Sequence, residues 1–188
     1  MKQTDISAFF TVKNSIKKFK KTISKKPDII IYTDGSCINN GKPNAKAGWG
    51  IYISENSDKN NYGIVEGKQS NNTGELNAII KAYYALEEEI NNNISIAIYS
   101  DSLYAIRCCT TYGEKLEKRC WIKKKPIPNV DLVKKAFYLF KNKKNVKFVH
   151  IKAHTGKQDI HSIGNDKADE LANKAIGITS CPYQRYKN

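Results

Sequence analysis

Apolar and polar positions alternate between two rhythms along this chain. Short apolar runs at 29–34 ("IIIYTD"), 47–53 ("AGWGIYI") and 62–69 predict three strands. The next segment, "NNTGELNAIIKAYYALEEEI", changes period. Leu76, Ile79, Ile80, Tyr83, Leu86 and Ile90 recur at helical spacing, with Asn72 or Thr73 as the cap. "ISIAIYSD" predicts a fourth strand over 94–100, and a helical region from 102 to about 120 is interrupted near Gly113. Pro126 and Pro128 break the chain. Val133, Ala136, Phe137 and Phe140 then mark a helix over 129–142, "VKFVHI" a fifth strand, and 165–176 a last helix. Three strands, then strands alternating with helices, predict an α/β domain with a mixed sheet.

Two of these strands end alike. "IIIYTDGS" and "IAIYSDS" each place an aspartate, Asp34 and Asp101, at the carboxyl end of an apolar run. Open α/β sheets bind ligands there. An Asp-Gly pair is also an ordinary turn, so Asp34 alone says little. If the two strands are parallel neighbours, however, the carboxylates sit side by side, which is unfavourable unless a cation lies between them. Glu75 in the first turn of the helix after "SNNTG" and Asp169 beside the apolar stripe of the last helix add two more acids. Singly, these read as a helix-dipole partner and a surface acid. Together, the four supply the oxygen donors that magnesium and two-metal phosphodiester chemistry require.

Charge sharpens that reading. The chain has 188 residues, 40% of them hydrophobic, and 32 bases against 18 acids, a net charge of +14. Four converging acids are therefore set in a basic protein whose expected partner is polyanionic. No run is long and apolar enough for a membrane span, and no signal peptide is evident. Cys37, Cys108, Cys109, Cys120 and Cys181 are odd in number and lack CxxC spacing, which points to a reducing, intracellular compartment. Residues 1–26 hold eight lysines and one acid, Asp5, and are read as a flexible basic arm. The domain is expected over 27–180, with a tail at 181–188.

Five segments in order, "YTDGSCINNG", "SNNTGEL", "YSDSLY", "HIKAHTG" and "GNDKADELA", resemble ribonuclease H of type 1 over about residues 28 to 180. The resemblance implies a ribonuclease H-like fold: a five-stranded mixed sheet flanked by helices, three antiparallel strands followed by two parallel ones. It implies an endoribonuclease that hydrolyses the RNA strand of RNA–DNA hybrids, leaving 5′-phosphate and 3′-hydroxyl ends. Asp34, Glu75, Asp101 and Asp169 would hold two Mg²⁺ ions, with Asp34 bridging and Mn²⁺ as the alternative. His154 matches the family's mobile-loop histidine, implicated in proton transfer or product release. His161 has no match and is expected to be solvated, and His150 to be structural. Gly35, Cys37, Asn40, Asn71 and Asn72 match positions that read the RNA strand's 2′-hydroxyls. Cys37 is expected to be a reduced, packed cysteine. "YGEKLEKRCWIKKK" resembles the family's basic handle, with Lys118, Arg119 and Trp121 as contacts to the DNA strand. Tyr112 and Leu116 depart from tryptophans there, and Leu103 from a glutamine.

The arm carries one further resemblance. Gln3, Ile6, Phe9 and Phe10 are similar to the sliding-clamp-binding peptide QxxIxxFF of eukaryotic and archaeal replication proteins. One helical turn would set the three apolar side chains on one face. That implies a eukaryote-type clamp as a partner and a place at replication forks, in the nucleus or another site of replication; otherwise the cytoplasm is expected. A monomer is expected. The competing readings are a ribonuclease H domain of a reverse transcriptase, a transposase- or integrase-like enzyme, and a non-catalytic hybrid-binding adaptor. The methionine start with its own arm, the "SNNTGE" segment and the full set of four acids argue against these in turn.

Overall fold

A computed structural model describes residues 26–153 and 158–179. Gln3, Ile6, Phe9, Phe10, His154 and Cys181 lie outside the described residues. The strands are β1 (Ile29–Ile38), β2 (Lys46–Tyr52), β3 (Asn61–Ile64), β4 (Ile96–Ser100) and β5 (Val146–His150). The helices are α1 (Asn71–Ala85), α2 (Glu87–Asn91), α3 (Leu103–Cys109), α4 (Thr111–Glu117), α5 (Val130–Phe140) and α6 (Ile160–Ala175). The five strands form one sheet in the order β3-β2-β1-β4-β5. β1 pairs antiparallel with β2 and β2 with β3, whereas β1–β4 and β4–β5 are parallel. This is the mixed sheet expected from the order of the elements.

The two faces of the sheet are built differently. On one, α1 packs with α5 and α3 over Ile31, Ile51, Ile96 and Ile98, joined by Leu76, Ile79, Leu86 and Val133 in a closed apolar core. On the other, α6 lies alone across β1 and β2. It comes very close, because β2 presents glycine beneath it: a Cβ on Gly50 would stand 2.3 Å from the Ala168 carbonyl oxygen. Any side chain there would lift α6 off the sheet.

Several boundaries differ from the sequence reading, each for a local reason. β1 does not end at Asp34 but continues to Ile38, because the antiparallel pairing with β2 persists after the parallel pairing with β4 has stopped at Thr33. α1 is capped by Ser70 rather than Asn72 or Thr73: the Ser70 hydroxyl accepts from the Thr73 amide while Thr73 Oγ1 accepts from the Ser70 amide. Glu75 therefore sits in the second turn, not the first. The helix over 102–120 breaks at Thr110 (φ −127°, ψ −112°), not at Gly113, which lies inside α4 where it admits the Phe137 ring. α6 begins at Ile160, a turn earlier than the apolar stripe indicates, because Asp159 caps it through the amides of His161 and Ser162. His161 is consequently not a solvated loop residue. Its ring stacks on Tyr99 at 4.3 Å between centroids, and its Nδ1 lies 3.1 Å from the Tyr32 hydroxyl.

Candidate active site

The sheet's change of pairing builds the site. Parallel partners Thr33 and Ser100 are the last shared residues of β1 and β4, so Asp34 and Asp101 emerge together just beyond them. Asp34 remains within β1, opposite Gly50 on β2. The residue opposite Asp34 is thus the glycine that lets α6 settle, and Asp169 follows Ala168, whose carbonyl faces that glycine. Glu75 reaches the same place from the other face. A Cβ on Gly35 would stand 2.2 Å from the Glu75 amide nitrogen, so the bare glycine after Asp34 lets α1 press its second turn against β1. Two glycines, one facing each helix, gather the acids.

The result is a cavity of about 320 Å³ lined by Asp34, Glu75, Asp101 and Asp169 together with Gly35, Cys37 and Asn71. Ligand oxygens of Asp34, Glu75 and Asp101 lie within 4.8 Å of one another. Asp169 lines the same cavity outside that tight triplet. Asp34, Glu75 and Asp169 are only 4%, 5% and 8% exposed. Burial pushes the Asp34 carboxyl well above its ordinary range, the charges of Asp101 and Asp169 push it further, and the Gly35 amide, donating to Oδ1 at 2.7 Å, offsets part of the rise. Glu75 is raised for the same reasons, by burial first and then by Asp34, Asp101 and Asp169. Its Oε2 is buried without a hydrogen-bond partner. An orphaned, buried carboxylate oxygen beside two other acids is a costly arrangement for the protein alone. A hard divalent cation, which prefers several carboxylate oxygens, matches this donor set.

The remaining expected contacts fall in two groups. Asn40 accepts from the Asn71 amide at 3.2 Å, so the loop after β1 and the start of α1 are tied together at the edge of the cavity, with Asn72 exposed beside them. Cys37 is a free, half-buried thiol held upward in pKa by burial. Lys118, Arg119 and Trp121 lie elsewhere, beyond the end of α4. Trp121 is half-buried there. Its indole N–H donates to the Tyr138 hydroxyl at 3.1 Å and its ring meets Phe137 edge-on. Lys118 pairs with Glu114 in solvent. His150, read as structural, places Nε2 3.1 Å from the Asp101 carbonyl oxygen. The sequence reading missed Ser36 and Asn173. Ser36 donates to Asn173 Oδ1 at 2.6 Å, and Asn173 Nδ2 donates to Asp169 Oδ1 at 2.9 Å. The available signal was spacing, since Asn173 lies one helical turn beyond Asp169.

The sequence profile of the RNase H family matches residues 26–177. A protein named Ribonuclease H from Francisella tularensis subsp. novicida is 39% identical over 155 residues, 81% of this chain and 93% of its own length. Another of that name from Methylobacillus flagellatus is 35% identical over 150 residues, 79% and 91% of the two chains. Among solved structures, LC9-RNase H1, described as a type 1 RNase H with the type 2 active-site motif, superposes with a TM-score of 0.63 at 21% identity, covering 87% of this chain and 82% of its own; that likeness supports the fold. With the strand order, the gathered acids and matches spanning most of both chains, the protein belongs to the ribonuclease H family.

Proposed function

We propose that this chain cleaves the RNA strand of RNA–DNA hybrids, with Asp34, Glu75, Asp101 and Asp169 holding two magnesium ions. The observation that carries the reading is the triplet of Asp34, Glu75 and Asp101, the first two buried and the third half-buried, with ligand oxygens within 4.8 Å of one another in a chain of net charge +14. When bound, such ions supply a water of lowered pKa and charge stabilisation at the leaving 3′ oxygen. The protein's own contribution is to fix the donors: Gly35 and Gly50 set the helix approach, and the Gly35 amide orients Asp34. Burial of Asp34 and Glu75 strengthens the charge interactions they make.

Asn40, Asn71, Asn72, Gly35 and Cys37 are assigned to the RNA strand, because Gly35, Cys37 and Asn71 line the acid cavity and Asn40 is bonded to Asn71. Lys118, Arg119 and Trp121 are assigned to the DNA strand, and His154 to proton transfer or product release at the reacting phosphate. Gln3, Ile6, Phe9 and Phe10 are assigned to a eukaryote-type sliding clamp, which would hold the enzyme near primers and raise its local concentration. The sequence match alone supports that assignment.

The experiment is incubation of the full chain with an end-labelled RNA–DNA hybrid, an RNA single strand and a DNA duplex, with magnesium or with chelator. Cleavage of the hybrid alone, only with magnesium, is expected. Equal cutting of duplex DNA would replace this reading with a general nuclease. A peptide of residues 1–20 should bind a eukaryote-type clamp, and its Phe9→Ala, Phe10→Ala form should not.

A further inference from the structure

Asp169 differs from the other acids in how it is held. It lies in the middle of α6, on the face that settles over β1 and β2. Its Oδ1 accepts from Asn173 Nδ2 at 2.9 Å, and Asn173 Oδ1 accepts from Ser36 Oγ at 2.6 Å. Ser36 stands on β1 two residues after Asp34, so this relay joins the helix bearing one acid to the strand bearing another. All three residues line the acid cavity.

The chemistry gives the relay a direction. A carboxylate only accepts, so the Asn173 amide must turn its NH₂ toward Asp169. Its carbonyl then faces β1, where the Ser36 hydroxyl is the donor that completes it. An Asn173 rotated by half a turn would set oxygen against carboxylate. Ser36 therefore selects the orientation in which Asp169 is gripped, although it does not touch Asp169. The grip is neutral: an amide fixes a carboxylate oxygen without adding a positive charge that competes with a cation. Asn173 is 5% exposed, so water replaces its bond poorly.

We propose that Ser36 and Asn173 act as a positioning pair that sets the orientation of Asp169 toward a bound divalent cation. This rests on the metal-dependent reading above and deepens it. Hydrogen-bond partners of metal ligands are worth about 10–100-fold in metal affinity. Loss of Asn173 should fall near the lower bound, and loss of Ser36, one bond further away, below it.

The test is calorimetric titration of the full chain with Mn²⁺ and with Mg²⁺, in the absence of nucleic acid, on wild type, Asn173→Leu, Ser36→Ala, Ser36→Thr and the double variant Ser36→Ala, Asn173→Leu. Asn173→Leu should weaken cation binding about tenfold, the lower bound for such partners, and Ser36→Ala about threefold, below it. Ser36→Thr, which keeps the hydroxyl, should regain wild-type affinity. The double variant should bind no more weakly than Asn173→Leu, because Ser36 acts only through Asn173. In hybrid cleavage, the magnesium needed for half-maximal rate should rise in the same ratios. Should Asn173→Leu fail to fold, the Ser36→Ala and Ser36→Thr pair carries the test. Folded variants with wild-type cation affinity, or Ser36 and Asn173 losses that multiply in the double variant, would overturn the pair's role. Those results would leave the metal-dependent reading intact if wild type binds cation and cuts hybrid; a wild type that does neither would fail the reading itself.

Discussion

The acid cavity and the basic handle are opposite solutions to holding charge. In the cavity, Asp34 and Glu75 are buried at 4% and 5% exposure among other acids, and no described lysine or arginine is paired with either. In the handle, Lys118 stands in solvent and is already paired with Glu114. The cavity is fixed by packing: Gly35 and Gly50 admit two helices from opposite faces. The handle is fixed by its backbone. After α4 the amides of Arg119 and Trp121 both return to the Leu116 carbonyl, Cys120 returns to Glu117, and Cys120 and Trp121 take φ of +50° and +61°. Buried like charges are costly and specific, whereas exposed charges are cheap and interchangeable. Single substitutions should therefore act strongly on chemistry in the cavity and weakly on affinity in the handle.

The largest effect expected is on cleavage. Losing one charge-stabilising donor costs an enzyme about 10²–10³ in rate, and losing an acid from the proposed metal site should cost more. Asp34→Asn and Asp101→Asn should each reduce hybrid cleavage beyond that range, while filter binding of the hybrid stays close to wild type, because phosphate contacts elsewhere supply the affinity. A rate within tenfold of wild type in either variant would break the contrast between the two regions.

The same substitution should act on stability with the opposite sign. Asp34 has a carboxyl held well above the ordinary value of 3.8 by burial and by Asp101 and Asp169. Well below pH 3.8 the folded and unfolded chains are both protonated there, and the group makes no difference. As pH rises past that value the unfolded chain ionises first, so folding loses stability until the folded carboxyl ionises too. In chelator, Asp34→Asn should melt higher than wild type at pH 7, by roughly 2–4 °C for each kcal/mol relieved. The gain should fade as pH approaches 4. Added magnesium should raise the wild-type melting temperature more than that of the variant. A lower melting temperature for Asp34→Asn in chelator at pH 7 would show that the acids are not the strained part of the fold.

Much of this was legible in the chain because its signals are local. Period-2 and period-3.6 apolar patterns marked every strand and every long helix, and repeated strand–aspartate endings located Asp34 and Asp101. What escaped depends on partners distant in sequence. β1 runs through Asp34 to Ile38 only because β2 continues beside it, which the residues of β1 do not announce. The start of α6 at Ile160 rests on the Asp159 cap rather than on the apolar stripe, so His161 fell outside the expected helix. Its stacking on Tyr99 depends on a contact between residues 62 positions apart. Ser36 escaped for the same reason, since its bond to Asn173 exists only once strand and helix are brought together; Asn173 left only its one-turn spacing from Asp169 as a signal. Trp121 reads as a contact to the DNA strand, and its packing against Phe137 and Tyr138 on α5, which leaves it half-buried, is likewise a long-range contact.

The smallest effects expected lie in the handle, and their signs are what matter. Lys118 is bonded to Glu114, one turn earlier on α4, with both side chains largely in solvent. Such a pair contributes little to the fold, but it matters to a phosphate, because Glu114 competes for the same ammonium. Lys118→Ala should weaken hybrid binding by about two- to threefold at low salt and reduce the slope of log affinity against log salt by about 1, the signature of one phosphate contact. Glu114→Gln should do the reverse and tighten hybrid binding by about twofold, since it removes the competing anion and leaves Lys118 available. Both differences should shrink toward zero near 1 M salt, where the screening length falls to about 3 Å. Fluorescence anisotropy of a labelled hybrid in chelator, which prevents cleavage, measures all three proteins across a salt series. If Glu114→Gln weakens binding, the pair orients Lys118 rather than occupying it, and the handle is preorganised by its charges as well as by its backbone.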